Sequence, residues 1–235
     1  MIDAHTGELL NEHNHVCHFL PPNGPEVTTA TDLQGINRTI HSYEFNNNNY
    51  LIDASRSMFN AAESDMPNTP DGVIWTINGN NTSPANDNFS TTHNVSAGNF
   101  WNDPLAVSAH YNAGEAYRYF QETFNRNSIN GQGGNIVSLI NIAEDDGSDM
   151  DNAFWNGQAM FYGNGNTAFT SPLAKELDVA GHDISHGVVQ NTANREYEGD
   201  SGALNESFAD IFGSMIDRDD WQMGEEAVNT SIYPT

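Results

Sequence analysis

Cysteine is nearly absent from this sequence: Cys17 is the single thiol among 235 residues. No disulfide can close within the chain, and no cysteine pair is present for redox chemistry. Basic residues are almost as scarce. Seven Lys and Arg, with Lys175 the only lysine, stand against 32 Asp and Glu, for a formal charge of −25. A polyanion of this strength repels phosphate backbones and anionic lipid, so nucleic acid and membrane are excluded as partners, and divalent cations are favoured. It also suits a solvated surface in salty water. No apolar run comes near the roughly 20 residues needed to cross a bilayer. Residues 1–10 lack the basic region and apolar core of a secretory signal. Hydrophobic residues make up 37% of the chain, enough for a real core.

The chemistry concentrates in the stretch DVAGHDISH at 178–186, where His182 and His186 stand four apart with Asp183 beside the first. On a helix, positions i and i+4 share one face about one turn apart, so both imidazoles can address one cation. Zinc takes such ligands, and a catalytic zinc usually has three from the protein, leaving the fourth position to water. Glu206 is the candidate third ligand, because the chain after His186 is long enough to finish one helix, turn and return in a second. The break is expected at GDSG, residues 199–202. The returning helix reads as an apolar stripe of Ala203, Leu204, Phe208, Ile211, Phe212 and Met215 beside a buried carboxylate row of Glu206, Asp210 and Asp217. Asp210, one turn beyond Glu206, is placed to accept the second ring proton of a ligating histidine. Two histidines at helical spacing occur on many solvated helices; the combination with Glu206 is what points to a metal.

Residues 177–213, LDVAGHDISHGVVQNTANREYEGDSGALNESFADIFG, resemble the active-site segment of the thermolysin-like neutral metallopeptidases, with Asp183 where the usual motif has glutamate. NAFWNG at 152–157, AHYNAG at 109–114 and YLID at 50–53 extend the resemblance over most of the chain. It implies an α+β fold: a mixed, largely antiparallel N-terminal half, a long helix and a central zinc-binding helix. It also implies a secreted zinc endopeptidase, made as a zymogen, that cleaves peptide or protein substrates before apolar residues. His182, His186 and Glu206 would hold zinc, with Asn205 and Asp210 supporting them, Asp183 in the general-base position and Tyr197 donating to the developing oxyanion. Asn152 and the carbonyl of Ala153 would bind substrate as an added strand. Leu173 and Val179 would help line the pocket for the residue after the cut. Calcium would be held by Asp178, Asp217, Asp220, Gln222, Glu225 and Glu226. Without the resemblance, Asn152 reads as an ordinary turn residue, Trp155 as core and Tyr197 as a packed tyrosine.

The departure at Asp183 keeps two readings open. Its carboxylate is one methylene short of glutamate, a retreat of roughly 1.5 Å, and a base must come within about 2.6–3.2 Å of its proton. The chain is therefore either an impaired endopeptidase or a zinc- and calcium-binding domain that acts in peptide binding or as a structural module. Residues 1–30 are expected to be the end of a propeptide and a linker, since DAHTGE resembles the close of the family's removable prosegment and PPNGP at 21–25 breaks regular structure. The propeptide itself is then a partner. Residues 31–235 are expected to be the catalytic N-terminal domain, without the helical domain that walls the cleft in the family.

Pattern along the chain predicts a hairpin from strands at 39–45 and 50–53, a strand at 73–77, and a polar surface loop to about 98. Asp103 followed by Pro104 is a helix start. His110 on that helix reads as a packing or hydrogen-bonding histidine. A central strand is expected at 136–142, a solvated acidic loop at 144–149 and a single strand at 152–162.

Overall fold

The computed structural model describes residues 23–193 and 198–233. The expectations on Cys17, on Tyr197 and on residues 1–22 lie outside that range.

Strand β1 (Asn23–Thr31) pairs antiparallel with β2 (Asn37–Phe45), Asn23 opposite Phe45 and Thr31 opposite Asn37. Residues 23–30 are thus strand, which corrects the linker reading. The β-formers Val27, Thr28 and Thr29 outweigh Pro25, which an edge strand tolerates because its missing N–H is needed by no neighbour. Asn46 and Asn47 turn the chain with φ of 52° and 62°, the left-handed pair a tight hairpin requires, into β3 (Asn48–Tyr50). Next come β4 (Ile52–Asp53), β5 (Ile74–Thr82), β6 (Thr92–His93) and β7 (Val95–Ser96). Helix α1 (Pro104–Phe124) begins where predicted, with the Asp103 carboxylate accepting from the Leu105 and Ala106 amides. It is followed by β8 (Ile136–Ile142), β9 (Ala153–Trp155), β10 (Met160–Gly163), a 3-10 turn (Leu173–Lys175), α2 (Leu177–Ala193) and α3 (Gly199–Asp217).

One sheet runs β1-β2-β3-β7. The other runs β4-β5-β8-β10-β9, with β6 on β5. Within it β5, β8 and β10 are parallel, and β9 closes one edge antiparallel. The architecture is α+β, as expected. The small buried residues Ala106, Ala109, Ala113 and Ala116 let α1 lie close against its neighbours. His110 is buried in this layer, its Nδ1 2.9 Å from Thr76 Oγ1 and its Nε2 2.8 Å from the His41 carbonyl. Burial holds it neutral, lowering its pKa to about 4.

Two further readings change. Residues 152–162 form a hairpin and not one strand, because Asn156 and Gly157 turn the chain: Asn156 Oδ1 accepts from the Gln158 and Ala159 amides, and Gly157 has φ +97°. GDSG does not break the chain but opens α3, with Glu198 in extended backbone just before it. The interior face of α3 also differs. Gly202, Asn205, Ala209 and Gly213 are its buried positions, while Leu204, Phe208 and Ile211 are 38%, 38% and 48% exposed. Small residues win the inward face because they let two helix backbones approach closely. The carboxylate row is accordingly not buried, the Glu206 and Asp210 side chains being 40% and 62% exposed.

Candidate metal centre

Helix α2 carries His182 and His186 on the face that meets α3. The two Nε2 atoms are 3.1 Å apart, and Glu206 Oε2 lies 3.2 Å from the first and 3.7 Å from the second. A tetrahedral ion with bonds of about 2.0–2.1 Å sets its ligand atoms roughly 3.3 Å apart. The three separations bracket that spacing, so the donor set fits zinc in chemistry and in size. Among the described residues no other trio of His, Cys, Asp or Glu converges this tightly.

The outer contacts separate the two supporting residues. Asn205, buried in the interface, places Oδ1 3.1 Å from His186 Nδ1. It can accept that ring proton and leave Nε2 free for a metal. Asp210 Oδ1 lies 3.0 Å from His182 Nδ1, near enough for an ion pair, from a side chain that is far more exposed than Asn205. Burial and the neighbouring His186 hold His182 below its ordinary 6.5, against the raising influence of Asp210 and Glu206. The neutral form it favours is the one that binds metal.

The cleft above this trio has a volume of about 530 Å³ and is walled by Asn152, Ala153, Trp155, Asp183 and Gln190 together with the ligands. Asp183 is 6% exposed. Burial pushes its carboxyl up to about 7, with the charge of Glu206 adding and the Trp155 backbone N–H opposing.

The hairpin register explains where that N–H comes from. Asn152 accepts from the Gly163 amide and Asn156 donates to the Ala159 carbonyl, so residues 152, 154 and 156 bond across to β10. In an antiparallel ladder the alternate residues, 153 and 155, point their backbone groups the other way. Trp155 thus turns its N–H to Asp183, and Ala153 turns its N–H and carbonyl to the open edge. Trp155 is further tied to α2: its Nε1 donates to Gln190 Oε1 at 3.1 Å, and its ring packs so close to Gly187 that a Cβ there would stand 3.0 Å from it. The contributions of Trp155 and Gln190 were missed in the sequence, where Asn156-Gly157 was the turn signal that sets this register.

The other expected residues disperse. Leu173 is 2% exposed inside the main core, and Val179 packs half-buried on the same cluster; neither lines the cleft. Asp178 is buried at the start of α2, its carboxylate accepting from the Val179 and Gly224 amides at 2.6 and 2.7 Å. Burial, with Glu225 and Asp217 adding, pushes it up to about 6. Asp217, Glu225 and Glu226 line a second cleft of about 460 Å³ together with Glu176, which was not among the expected ligands. Asp220 and Gln222 are exposed and bonded to each other.

Comparison with known proteins agrees with this geometry. The family profile described as thermolysin metallopeptidase, catalytic domain, matches residues 27–190, and that of the thermolysin metallopeptidase alpha-helical domain matches 193–234. Bacillolysin of Bacillus amyloliquefaciens is 36% identical over 226 residues, which are 96% of this chain and 39% of that protein. Neutral protease NprE of Bacillus pumilus is 49% identical over 121 residues, 52% of this chain and 39% of that protein. The solved precursor of protealysin, a metalloproteinase from Serratia proteamaculans, superposes with a TM-score of 0.52 at 30% identity over 62% of this chain and 43% of that one. The chain therefore spans about two-fifths of the length of the bacillolysin it matches. With the catalytic-domain profile covering residues 27–190, and His182, His186 and Glu206 converging between α2 and α3, the chain belongs to the thermolysin metallopeptidase family.

Proposed function

We propose that this chain is the metal-bearing part of a zinc endopeptidase of the thermolysin type, which cuts before apolar residues with activity lowered by Asp183. The convergence of His182, His186 and Glu206 beside the open edge of β9 is the observation that carries the reading. Bound zinc would supply Lewis acidity, activating water and polarising the scissile carbonyl. The remaining steps belong to the chain's own residues. Ala153 offers its outward N–H and carbonyl to an extended peptide as a further strand, and Asn152 lies beside it in the cleft wall. Asp183 takes a proton from the attacking water onto its carboxylate and returns it to the leaving amine. Burial raises its pKa, and a bound dication would draw it back down; its length is one methylene short for the task. A misplacement of about 1 Å can cost on the order of a hundredfold in rate. Tyr197 as oxyanion donor and an apolar residue after the cut rest on the family resemblance alone.

A hard divalent cation, calcium, belongs to the same proposal. Two buried carboxylate oxygens at the acidic cleft, Glu176 Oε1 and Glu225 Oε2, have no partner, and this donor set is the oxygen-rich one calcium takes. Secretion as a zymogen, with the propeptide as a partner, completes the family reading. No described helix is long and apolar enough to cross a membrane.

The second reading, metal-supported peptide binding without turnover, is favoured by the Trp155 N–H, which holds the short Asp183 side chain at the strand. One experiment separates them. Chelator-sensitive hydrolysis of a quenched peptide with Phe or Leu after the scissile bond is measured for the protein and its Asp183→Glu variant. Turnover about a hundredfold faster in the variant is the expected result. Cleavage by the variant alone supports the binding reading, and zinc-loaded protein that cleaves in neither form refutes the endopeptidase reading.

A further inference from the structure

The acidic cleft at the N-terminus of α2 holds a carboxylate whose situation differs from that of its neighbours. Glu176 sits between the 3-10 turn and α2 and is 3% exposed. Its backbone is pinned on both sides: its N–H donates to the Leu173 carbonyl at 3.1 Å, and its own carbonyl accepts from Ala180 N at 3.2 Å and Asn112 Nδ2 at 3.3 Å. The side chain has no such support. Oε1 is buried without a hydrogen-bond partner, and the carboxyl lines the cleft with Asp217, Glu225 and Glu226. Burying an unpaired carboxylate is among the costlier arrangements in a folded chain, and a cation is one of the few partners that removes the cost.

Glu226 is the opposite case. Its Oε2 accepts from Gln34 Nε2 at 2.8 Å, lies 3.6 Å from Lys175 Nζ, and is exposed. Its charge is already answered from the protein. Glu225 again has a buried oxygen, Oε2, with no partner. The cleft, which Arg38 and Arg218 also line, therefore holds two carboxylates with a buried oxygen that has no hydrogen-bond partner, Glu176 and Glu225, together with Asp217, and Asp178 is near them at the start of α2. These carboxylates do not converge as tightly as the zinc trio, as expected of like charges facing one another.

We propose that Glu176 is a cation ligand of this cleft, taking with Glu225, Asp178 and Asp217 the share of the calcium charge that the family resemblance assigns to Glu226. The proposal rests on the calcium reading above and replaces one member of its ligand set. Calcium affinity follows the number of charged ligands, so removing a true ligand costs far more than removing a carboxylate already paired with lysine.

The test uses the purified protein stripped with chelator and given one equivalent of zinc, alongside Glu176→Gln and Glu226→Gln. Calcium is titrated by calorimetry and by its effect on thermal unfolding. Glu176→Gln should weaken calcium by about tenfold or more and shrink the calcium-induced rise in Tm, while Glu226→Gln stays within about threefold of the parent. In chelator alone Glu176→Gln should unfold no earlier than the parent, which shows that the loss is one of binding and not of folding. Equal calcium binding in the parent and Glu176→Gln, or a loss confined to Glu226→Gln, overturns this assignment and leaves the calcium reading standing. A parent that binds no calcium overturns both.

Discussion

Replacing Gly213 by alanine tests whether the α2–α3 contact sets the metal site. A Cβ at this position would stand 2.7 Å from the Asp178 carbonyl oxygen, 3.1 Å from Met223 Cε and 3.2 Å from His182 N. Ordinary contact begins at 3.4 Å, so α3 must retreat by 3.4 − 2.7 = 0.7 Å. The first obstacle is backbone of α2, in the turn that leads into His182, and no side-chain rotamer relieves it. Helix propensity alone favours alanine by about 1 kcal/mol, whereas overpacking costs about 1–3 kcal/mol. The expected net effect is a loss of roughly 1 kcal/mol in the chelated protein and more with zinc bound. Zinc suffers further because Glu206 lies two helical turns before Gly213 and moves with it. Metal–ligand distances tolerate only about 0.2 Å, so zinc affinity should fall by about tenfold or more, as for lost support around a ligand. Urea unfolding with and without chelator gives the first quantity, and competition against a chromophoric chelator gives the second. A variant more stable than the parent, with zinc affinity unchanged, would refute the reasoning and leave propensity as the whole effect.

Asn205→Ala removes the acceptor facing His186 Nδ1 at 3.1 Å and should cost about 10–100-fold in zinc affinity; unchanged affinity in the same competition assay would mean that α2 alone orients the ring. His110 gives a pH dependence with a definite sign. Its folded pKa, about 4, lies below the ordinary 6.5, so the unfolded chain binds a proton that the native state refuses. Stability from this group is therefore full above pH 6.5 and falls as pH drops toward 4, by on the order of 3 kcal/mol across the window. In His110→Gln that slope is missing, so the stability gap to the parent, read by urea unfolding, should narrow between pH 7 and pH 4.5; a constant gap would refute the assignment.

The convergence of His182, His186 and Glu206 was legible in the sequence because its geometry is local. A four-residue step on a helix fixes His182 and His186, and one turn of chain returns Glu206 to them. Which face of α3 points inward was not legible in the same way. A stripe of Leu204, Phe208 and Ile211 looks like core, yet close helix approach is won by Gly202, Ala209 and Gly213, whose smallness carries no hydropathy signal. The hairpin at 153–163 was readable from Asn156-Gly157 but was masked by the aromatic strand formers on both sides of it, Phe154 and Trp155 before and Phe161 and Tyr162 after. Strand β1 was hidden by Pro25, which its edge position makes harmless. Glu176 was unreadable for a deeper reason. An acid next to Lys175 before a helix normally signals a solvated N-terminus, and only the packing around it shows the carboxylate to be buried.

Ligand geometry and the general base are held by separate constraints. The ligands are placed by helical spacing, by the close α2–α3 approach at Gly213, and by Asn205 behind His186. None of these touches the length of the side chain at position 183. Asp183 is placed by its own reach and by the Trp155 N–H, which belongs to the strand across the cleft. On the proposed reading, shortening the base by one methylene costs turnover without loosening the metal, whereas a change at the helix contact loosens the metal and, with it, the turnover that depends on it. On that reading zinc retention and the reach of the base can be varied separately, so Gly213→Ala should lower zinc content and hydrolysis with it, while Asp183→Glu should raise hydrolysis at unchanged zinc content.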